Sequence, residues 1–339
     1  MENGPLNASW AEIADRVREA GRVAVLTHRR PDGDALGCVL ALARALPSVG
    51  ARVDAFMMGG IDPALVGVIR DTPWRNADEE QPGDDYELII VVDTGAWSQL
   101  EPLGDWLRRH HERVVVIDHH VHGDGVAALA VVEPEAAATA VLVTALLDEL
   151  GCPLTEAIAE ALFVGLATDT GWFRHANANA EAFRLAARLL DVGVDRAGLF
   201  QRLEETHRPE RLALEARALA SVEYARNDTV AIMVLTGDDF RETGGSIHDL
   251  TGLVNRPLIV DRVRASILLA EIEPSVIKIS LRAKASSAAG AEAIDVNALA
   301  RRLGGGGHVL AAGARMAAGL AEARRAVLRV VEQGSGSGC

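Results

Sequence analysis

The chain has 339 residues, 49% of them apolar, with 34 basic residues against 48 acidic ones and a net charge of -14. It is long enough for two domains with a core each, and a surface of that sign repels a polyanion at long range, which argues against long nucleic acid as a ligand. Five Trp, two Tyr and six Phe are too few for an extended base-stacking groove, and no apolar stretch approaches the roughly 20 residues that cross a bilayer, so no membrane partner is expected. Cys38, Cys152 and Cys339 fall at wide spacings that fit reduced thiols rather than a disulfide framework or a thiolate zinc site. The opening MENGPLNASWAEIADRV lacks a secretory pattern, so the expected compartment is cytoplasmic. A short anionic substrate stays open, because arginines and metal ions in a cleft reverse the local potential.

SWAEIADRVREAG (9 to 21) begins with a Ser-x-x-Glu capping pattern and predicts a helix. Then come RVAVLTH (22 to 28), VDAFMM (53 to 58), YELIIVVDT (86 to 94) and RVVVIDHH (113 to 120), short runs suited to strands covered on both faces. ALGCVLALARAL (35 to 46) and GDWLRRHH (104 to 111) lie between them as helices, and two longer helices follow at 136 to 150 and 154 to 170. The alternation predicts an α/β fold with a parallel sheet carrying helices on both sides. Residues 191–225 read as a helical linker between a domain at 1–190 and a smaller C-terminal α/β domain at 226–333. In the latter, strands are expected at 229 to 236, 263 to 272 and 276 to 284, then a helix at 295 to 303, a glycine cluster and a last helix near 317 to 332. The closing GSGSGC (334–339) reads as a disordered tail.

Acids and histidines recur where the apolar runs stop. His28, Asp32 and Asp34 follow the first, Asp93 ends the third, Asp118, His119 and His120 end the fourth, and Asp169 lies in GLATDTG. In an open parallel sheet, ligands gather beyond the carboxyl ends of the strands, so these groups should converge at one edge. Carboxylates crowded there resist ionisation unless a cation offsets them. Oxygen donors with one or two imidazoles and no thiolate favour manganese, with magnesium as the alternative. Two ions roughly 3.5 to 4 Å apart would clamp a phosphoryl group for in-line attack, which is hydrolysis of a phosphate ester. His110 and His111 precede their strand and are read as solvated helix residues.

THRRPDGDALG, VVDTG, VIDHH and GLATDTGWFRHAN, in that order, resemble the four motifs of the DHH phosphoesterase superfamily. ISLRAK and IDVNALARRLGGGGHVLAAGA resemble the DHH-associated substrate-binding domain, and the wording points to the branch with bacterial nano-RNases and pAp phosphatases. The resemblance implies one metal on His28, Asp32 and Asp93 and a second on Asp34, Asp93, His119 and Asp169, so that Asp93 bridges. It also implies that His120 faces the scissile phosphate while Asp118 orients a neighbouring imidazole. Arg282, Gly304, Gly305, Gly306, Gly307 and His308 would bind the nucleotide, with Lys284 and Arg174 as further anion-binding candidates. Cys38 stands where the family usually has a small hydroxyl residue, and Arg29 and Arg30 replace smaller residues. Cys38 is expected to be a buried residue facing the sheet.

The activity this implies is release of 5′-mononucleotides from short oligonucleotides, including linear pApA-type dinucleotides, and removal of phosphate from pAp to give AMP. A pyrophosphatase or single-strand exonuclease sharing the core, or a nucleotide sensor without turnover, are the competing readings. The expected partner is a short oligonucleotide or nucleotide, and a homodimer is one option for the assembly.

Overall fold

Strands whose every residue is apolar need cover on both faces, and the structure, a computed structural model that describes residues 6–121, 123–284 and 294–333, provides it. The chain divides into two compact units, Met1–Thr206 and His207–Cys339. In the first, the strands are Leu6–Asn7 (β1), Arg22–Thr27 (β2), Arg52–Met57 (β3), Arg75–Asn76 (β4), Leu88–Val92 (β5), Val114–Asp118 (β6) and Leu129–Val132 (β7). Its helices are Trp10–Glu19 (α1), Gly33–Ala45 (α2), Val66–Ile69 (α3), Gly104–Arg109 (α4), Thr139–Leu150 (α5), Glu156–Asp169 (α6), Ala180–Val192 (α7) and Arg196–Glu204 (α8).

All pairings in this sheet are parallel, in the order β1-β7-β6-β5-β2-β3-β4. Along β2, Val23 and Val25 point into one buried cluster while Ala24 and Leu26 point into another, and β5 and β6 alternate in the same way. The two faces are covered unequally. Helices α1, α2, α5, α6 and α7 pack the first face, whereas the second is closed mainly by α4 and loop residues such as Leu100, Leu103 and Val126. From β2 the chain runs outward through β3 and β4, returns to β5 on the other side, and continues through β6 and β7. That reversal between β2 and β5 opens a crevice at their carboxyl ends.

In the second unit the strands are Glu223–Ala225 (β8), Val230–Leu235 (β9), Ala265–Glu273 (β10), Val276–Ala283 (β11), Gly306–His308 (β12) and Ala311–Ala317 (β13), and the helices are Pro209–Ala220 (α9), Gly237–Thr243 (α10), Val296–Arg302 (α11) and Leu320–Glu332 (α12). The sheet is mixed, in the order β12-β13-β11-β10-β9-β8, with only β9 and β10 parallel. The glycine cluster, expected as a loop, ends in a strand. Cβ atoms on Gly305 and Gly307 would stand 2.1 and 2.5 Å from the Gly313 and Ala311 carbonyl oxygens of β13, so only glycine lets these chains come so close. The expected tail at 334–339 lies outside the described residues. No described helix is long and apolar enough to cross a membrane.

Helices α2 and α6, which carry Asp34 and Asp169, touch through glycines. A Cβ on Gly37 would lie 2.3 Å from the Ala161 carbonyl oxygen, and one on Gly165 would lie 2.6 Å from Asp34 Oδ1 and 3.0 Å from Ala140 Cβ. Alanine in a helix interior is worth about 1 kcal/mol over glycine, but overpacking against backbone costs about 1–3 kcal/mol. Gly37→Ala should therefore lower stability, read as a fall in the urea midpoint, and should lower metal affinity as α6 is pushed away.

Candidate active site

The crevice at β2 and β5 is where the acids and imidazoles meet. Asp32 is the N-cap of α2, its Oδ1 accepting from the N–H groups of Asp34 and Ala35 at 3.1 Å each. Asp34 follows in the first turn and is buried. Asp93 comes just after β5 with φ 62, a left-handed conformation that Asp tolerates better than most residues, and its N–H reaches the Ile117 carbonyl at 2.9 Å. Asp118 ends β6 with His119 and His120 beyond it, and Asp169 is the last residue of α6.

His28 Nε2 stands 3.5 Å from Asp93 Oδ2 and 3.9 Å from Asp32 Oδ1. His119 Nε2 stands 3.6 Å from both Asp93 Oδ1 and Asp169 Oδ2. Three sets of candidate ligand atoms gather within 4.8 Å: His28 with Asp32 and Asp93, Asp34 with His119 and Asp169, and Asp93 with His119 and His120. Asp93 thus turns one oxygen toward His28 and the other toward His119. His120 Nδ1 is held at 2.7 Å by Asp118 Oδ1, and since a carboxylate only accepts, this nitrogen carries the hydrogen and Nε2 faces outward from a half-exposed ring. The Nδ1 atoms of His28 and His119 lie 3.1 and 3.2 Å from the carbonyls of Arg29 and Ala136, to which they donate, and this leaves the Nε2 lone pair of each as the atom able to ligate a metal.

One residue escapes a reading of the motifs. Thr139, buried at the start of α5, donates its hydroxyl to Asp93 Oδ1 at 2.8 Å and its N–H to Asp34 Oδ2 at 2.6 Å, and Ala140 N–H reaches Asp34 Oδ1 at 3.0 Å. Helix α5 has Ala138 at its N-cap and no side-chain cap of its own, so Asp34 caps it from a distant helix. The missing cap in AAATAVL was the available signal. Cys38 is buried as expected, but its Sγ also lies 3.6 Å from Asp34 Oδ1. Beyond Asp169, Gly171, Trp172 and Phe173 form a left-handed turn with φ of 55, 56 and 63. This turn brings Asn177 Nδ2 to the carbonyls of Ala137 and Asp169, at 2.9 and 3.3 Å.

The charge is poorly balanced without a cation. Burial, then repulsion from Asp93 and Asp169, pushes the Asp34 carboxyl well above its ordinary range, and burial likewise raises Asp169. Burial opposes a charge on His28, but its bonds to Asp32 and Asp93 outweigh that and hold its pKa at about 10. The bond to Asp118 raises His120. Of the other expected residues, Arg174 is exposed and donates to the Gly171 carbonyl at 3.0 Å. In the second unit Arg282 is half-buried on β11, His308 is exposed on β12, and Lys284 Nζ is engaged by the Val260 and Asp261 carbonyls at 2.7 and 3.2 Å. Arg29 is clamped by Asp78 at 3.1 Å, while Arg30 is exposed. His110 departs from its expected solvated state, lying half-buried against the Trp106 ring at 5.2 Å with Nδ1 2.8 Å from the Trp106 carbonyl. The Trp106 ring shields it from solvent.

The description "DHH family, N-terminal domain" matches residues 22–166. Over 308 residues the chain is 32% identical to the bifunctional oligoribonuclease and PAP phosphatase NrnA of Thermus thermophilus, spanning 90% of this chain and 87% of that protein. It is 26% identical to the Bacillus subtilis protein of the same name, over 85% and 87% of the two chains. An exopolyphosphatase-related protein from Bacteroides fragilis has a similar structure, with a TM-score of 0.85 at 25% identity, covering 96% and 95% of the two chains. The chain belongs to the DHH phosphoesterase superfamily, and within it to the NrnA-like branch. It is accordingly a hydrolase of the phosphoesterase class with a cluster of carboxylates and imidazoles able to bind metal.

Two tests follow from this geometry. Thr139→Val removes the hydroxyl bond to Asp93 at nearly constant volume and should weaken Mn2+ binding by about 10–100-fold, the usual loss for a partner of a ligand, whereas Thr139→Ser should restore it; calorimetric titration of the metal-stripped protein measures both. The metal-free protein should also lose stability as pH rises. The raised pKa of His28 stabilises the fold fully below about 6.5, and that contribution disappears as pH passes through about 10. The raised carboxyls of Asp34 and Asp169 act in the same direction. Denaturant titrations from pH 6 to 10 should show the decline, and Mn2+ should reduce it.

Proposed function

We propose that the protein is a two-metal phosphoesterase that hydrolyses short oligonucleotides, including linear pApA-type dinucleotides, to 5′-mononucleotides and converts pAp to AMP. The observation that carries this reading is Asp93, whose two carboxylate oxygens face different ligand groups, an arrangement that suits a residue shared by two cations. The similarity to oligoribonucleases and PAP phosphatases over most of the chain supports the choice of substrates. His28, Asp32 and Asp93 would hold one ion, and Asp34, Asp93, His119 and Asp169 the other. Carboxylate oxygens with imidazole nitrogens, and no sulfur in any of the three groups, suit manganese first and magnesium second. Bound there, the cations would supply Lewis acidity to the phosphoryl oxygens and lower the pKa of a water.

The side chains contribute the rest. Asp118 fixes the His120 ring through Nδ1, which leaves Nε2 to face a phosphate oxygen, and the same bond favours the protonated ring that would donate there. Thr139 and the first amides of α5 keep Asp93 and Asp34 aimed. Arg282, Gly305, Gly306, Gly307 and His308 are assigned to the remainder of the nucleotide, with an arginine fork suited to a terminal phosphate. The net charge favours small substrates over long strands, which would lie across repulsive surface.

The test is an assay of the Mn2+-loaded protein on pAp, pApA, oligoribonucleotides of increasing length and pyrophosphate, repeated with Asp93→Asn. Mononucleotide release from two- to five-residue substrates is expected, as is AMP from pAp. Asp93→Asn should lower kcat/KM by more than the roughly 10–100-fold typical of an outer partner. Attack on pyrophosphate alone would replace this reading with a pyrophosphatase, and tight nucleotide binding without turnover would replace it with a sensor.

A further inference from the structure

Strand register in the second unit arranges side chains in rows, because directly opposed residues of antiparallel neighbours point to the same face. One row runs through Arg282 on β11, Ala311 on β13 and His308 on β12. Two residues along, Ser280, Gly313 and Gly306 form the next. The third pairs Lys278 with Arg315. Along β11 the alternation of half-buried and buried positions puts Lys278, Ser280 and Arg282 on one side and Ile279 and Leu281 in the core beneath α11 and α12. The β9 and β10 part of the cationic side is roofed by an apolar cluster that includes Leu214 and Leu253. The aliphatic residues of that roof come from β9, β10 and the segments packed over them, and the roof segment Leu253–Ile259 also reaches β11.

Lys278 and Arg315 are an unusual pair. Like charges directly opposed across strands, with Cβ atoms about 5 Å apart, are destabilising. Among the described residues neither they nor Arg282 form an ion pair with a carboxylate, in a chain whose net charge is -14. The floor beside them is glycine and alanine, which leaves room for a ligand to lie flat. Repulsion of this kind is relieved by an anion between the two cations.

We propose that Lys278 and Arg315 together seat an internucleotide phosphate of the substrate, two steps beyond the phosphate taken by Arg282, and so set the preference for oligonucleotides over mononucleotides. The assignment rests on the nucleotide phosphoesterase reading given above. Lys278 and Arg282 are four residues apart on one strand, about 13 Å, so engaging both ends of the row requires a ligand with more than one phosphate. Ser280 lies between them as a neutral donor.

The experiment measures binding of 5′-labelled oligoadenylates of one to five nucleotides to the full-length protein in EDTA, across a series of salt concentrations, for the parent, Lys278→Gln, Arg315→Gln and the double variant. The double variant should bind the mononucleotide within about twofold of the parent and the three- to five-residue ligands about tenfold more weakly, with the slope of log affinity on log salt falling by about 0.7 per cation removed. Either single variant should unfold at the same temperature as the parent or higher, since the cross-strand repulsion is relieved, an effect that a purely structural role would reverse. With Mn2+ present, KM for the five-residue substrate should rise while kcat changes little. Equal losses at every length, no loss at any length, or an unchanged salt slope would each overturn the proposal. A parent that binds longer ligands more tightly but hydrolyses none would defeat the catalytic reading while leaving the phosphate seat in place. A parent that hydrolyses short RNA with both cations dispensable would defeat the seat alone.

Discussion

Four carboxylates, Asp32, Asp34, Asp93 and Asp169, are kept within reach of one another at one edge of a sheet, against their mutual repulsion. The first unit is arranged around that constraint. Each acid is anchored by something other than its neighbours: Asp32 by the first amides of α2, Asp34 by those of α5, Asp93 by the Thr139 hydroxyl, and Asp169 by its place at the end of α6. Local anchoring to backbone donors lets a cluster of like charge persist, and the remaining imbalance would favour a divalent cation there.

The topology explains why these residues could be dispersed along the chain. Parallel strands all deliver their carboxyl ends to one edge, and the reversal between β2 and β5 keeps that edge open at a single place. The glycines at 37 and 165 then let the two helices that carry Asp34 and Asp169 approach until Asp34 lies against the backbone of α6. Sheet register acts similarly in the second unit, where alternation along β11 sorts cations to one face and aliphatic residues to the other.

Much of this is legible in the amino-acid sequence because strand ends are marked twice, by the stop of an apolar run and by the charge that follows. His28, Asp93 and His119 are found that way. The bonds of Thr139 are not, since it contacts residues 46 and 105 positions away, and its own segment shows only that the helix lacks a side-chain cap, not what replaces it. Strand β7 has only four residues and little pattern, and β12 has glycines with no side-chain alternation to detect. The left-handed turn at 171–173 is also invisible locally, because only its first residue is glycine. The alternation in VIKISLRAK is visible as a strand, but what Lys278 faces appears only once β13 is set beside it.

Two peptide N–H groups of α5, one on each oxygen, grip Asp34, with the Cys38 thiol beside Oδ1. Such a grip does not depend on the side chain of residue 140 except where proline or bulk intrudes, whereas residue 139 must also keep the hydroxyl that holds Asp93. Re-aiming the carboxylate would take an insertion or deletion that reroutes the chain between β7 and α5, so the length of that connection governs where Asp34 points.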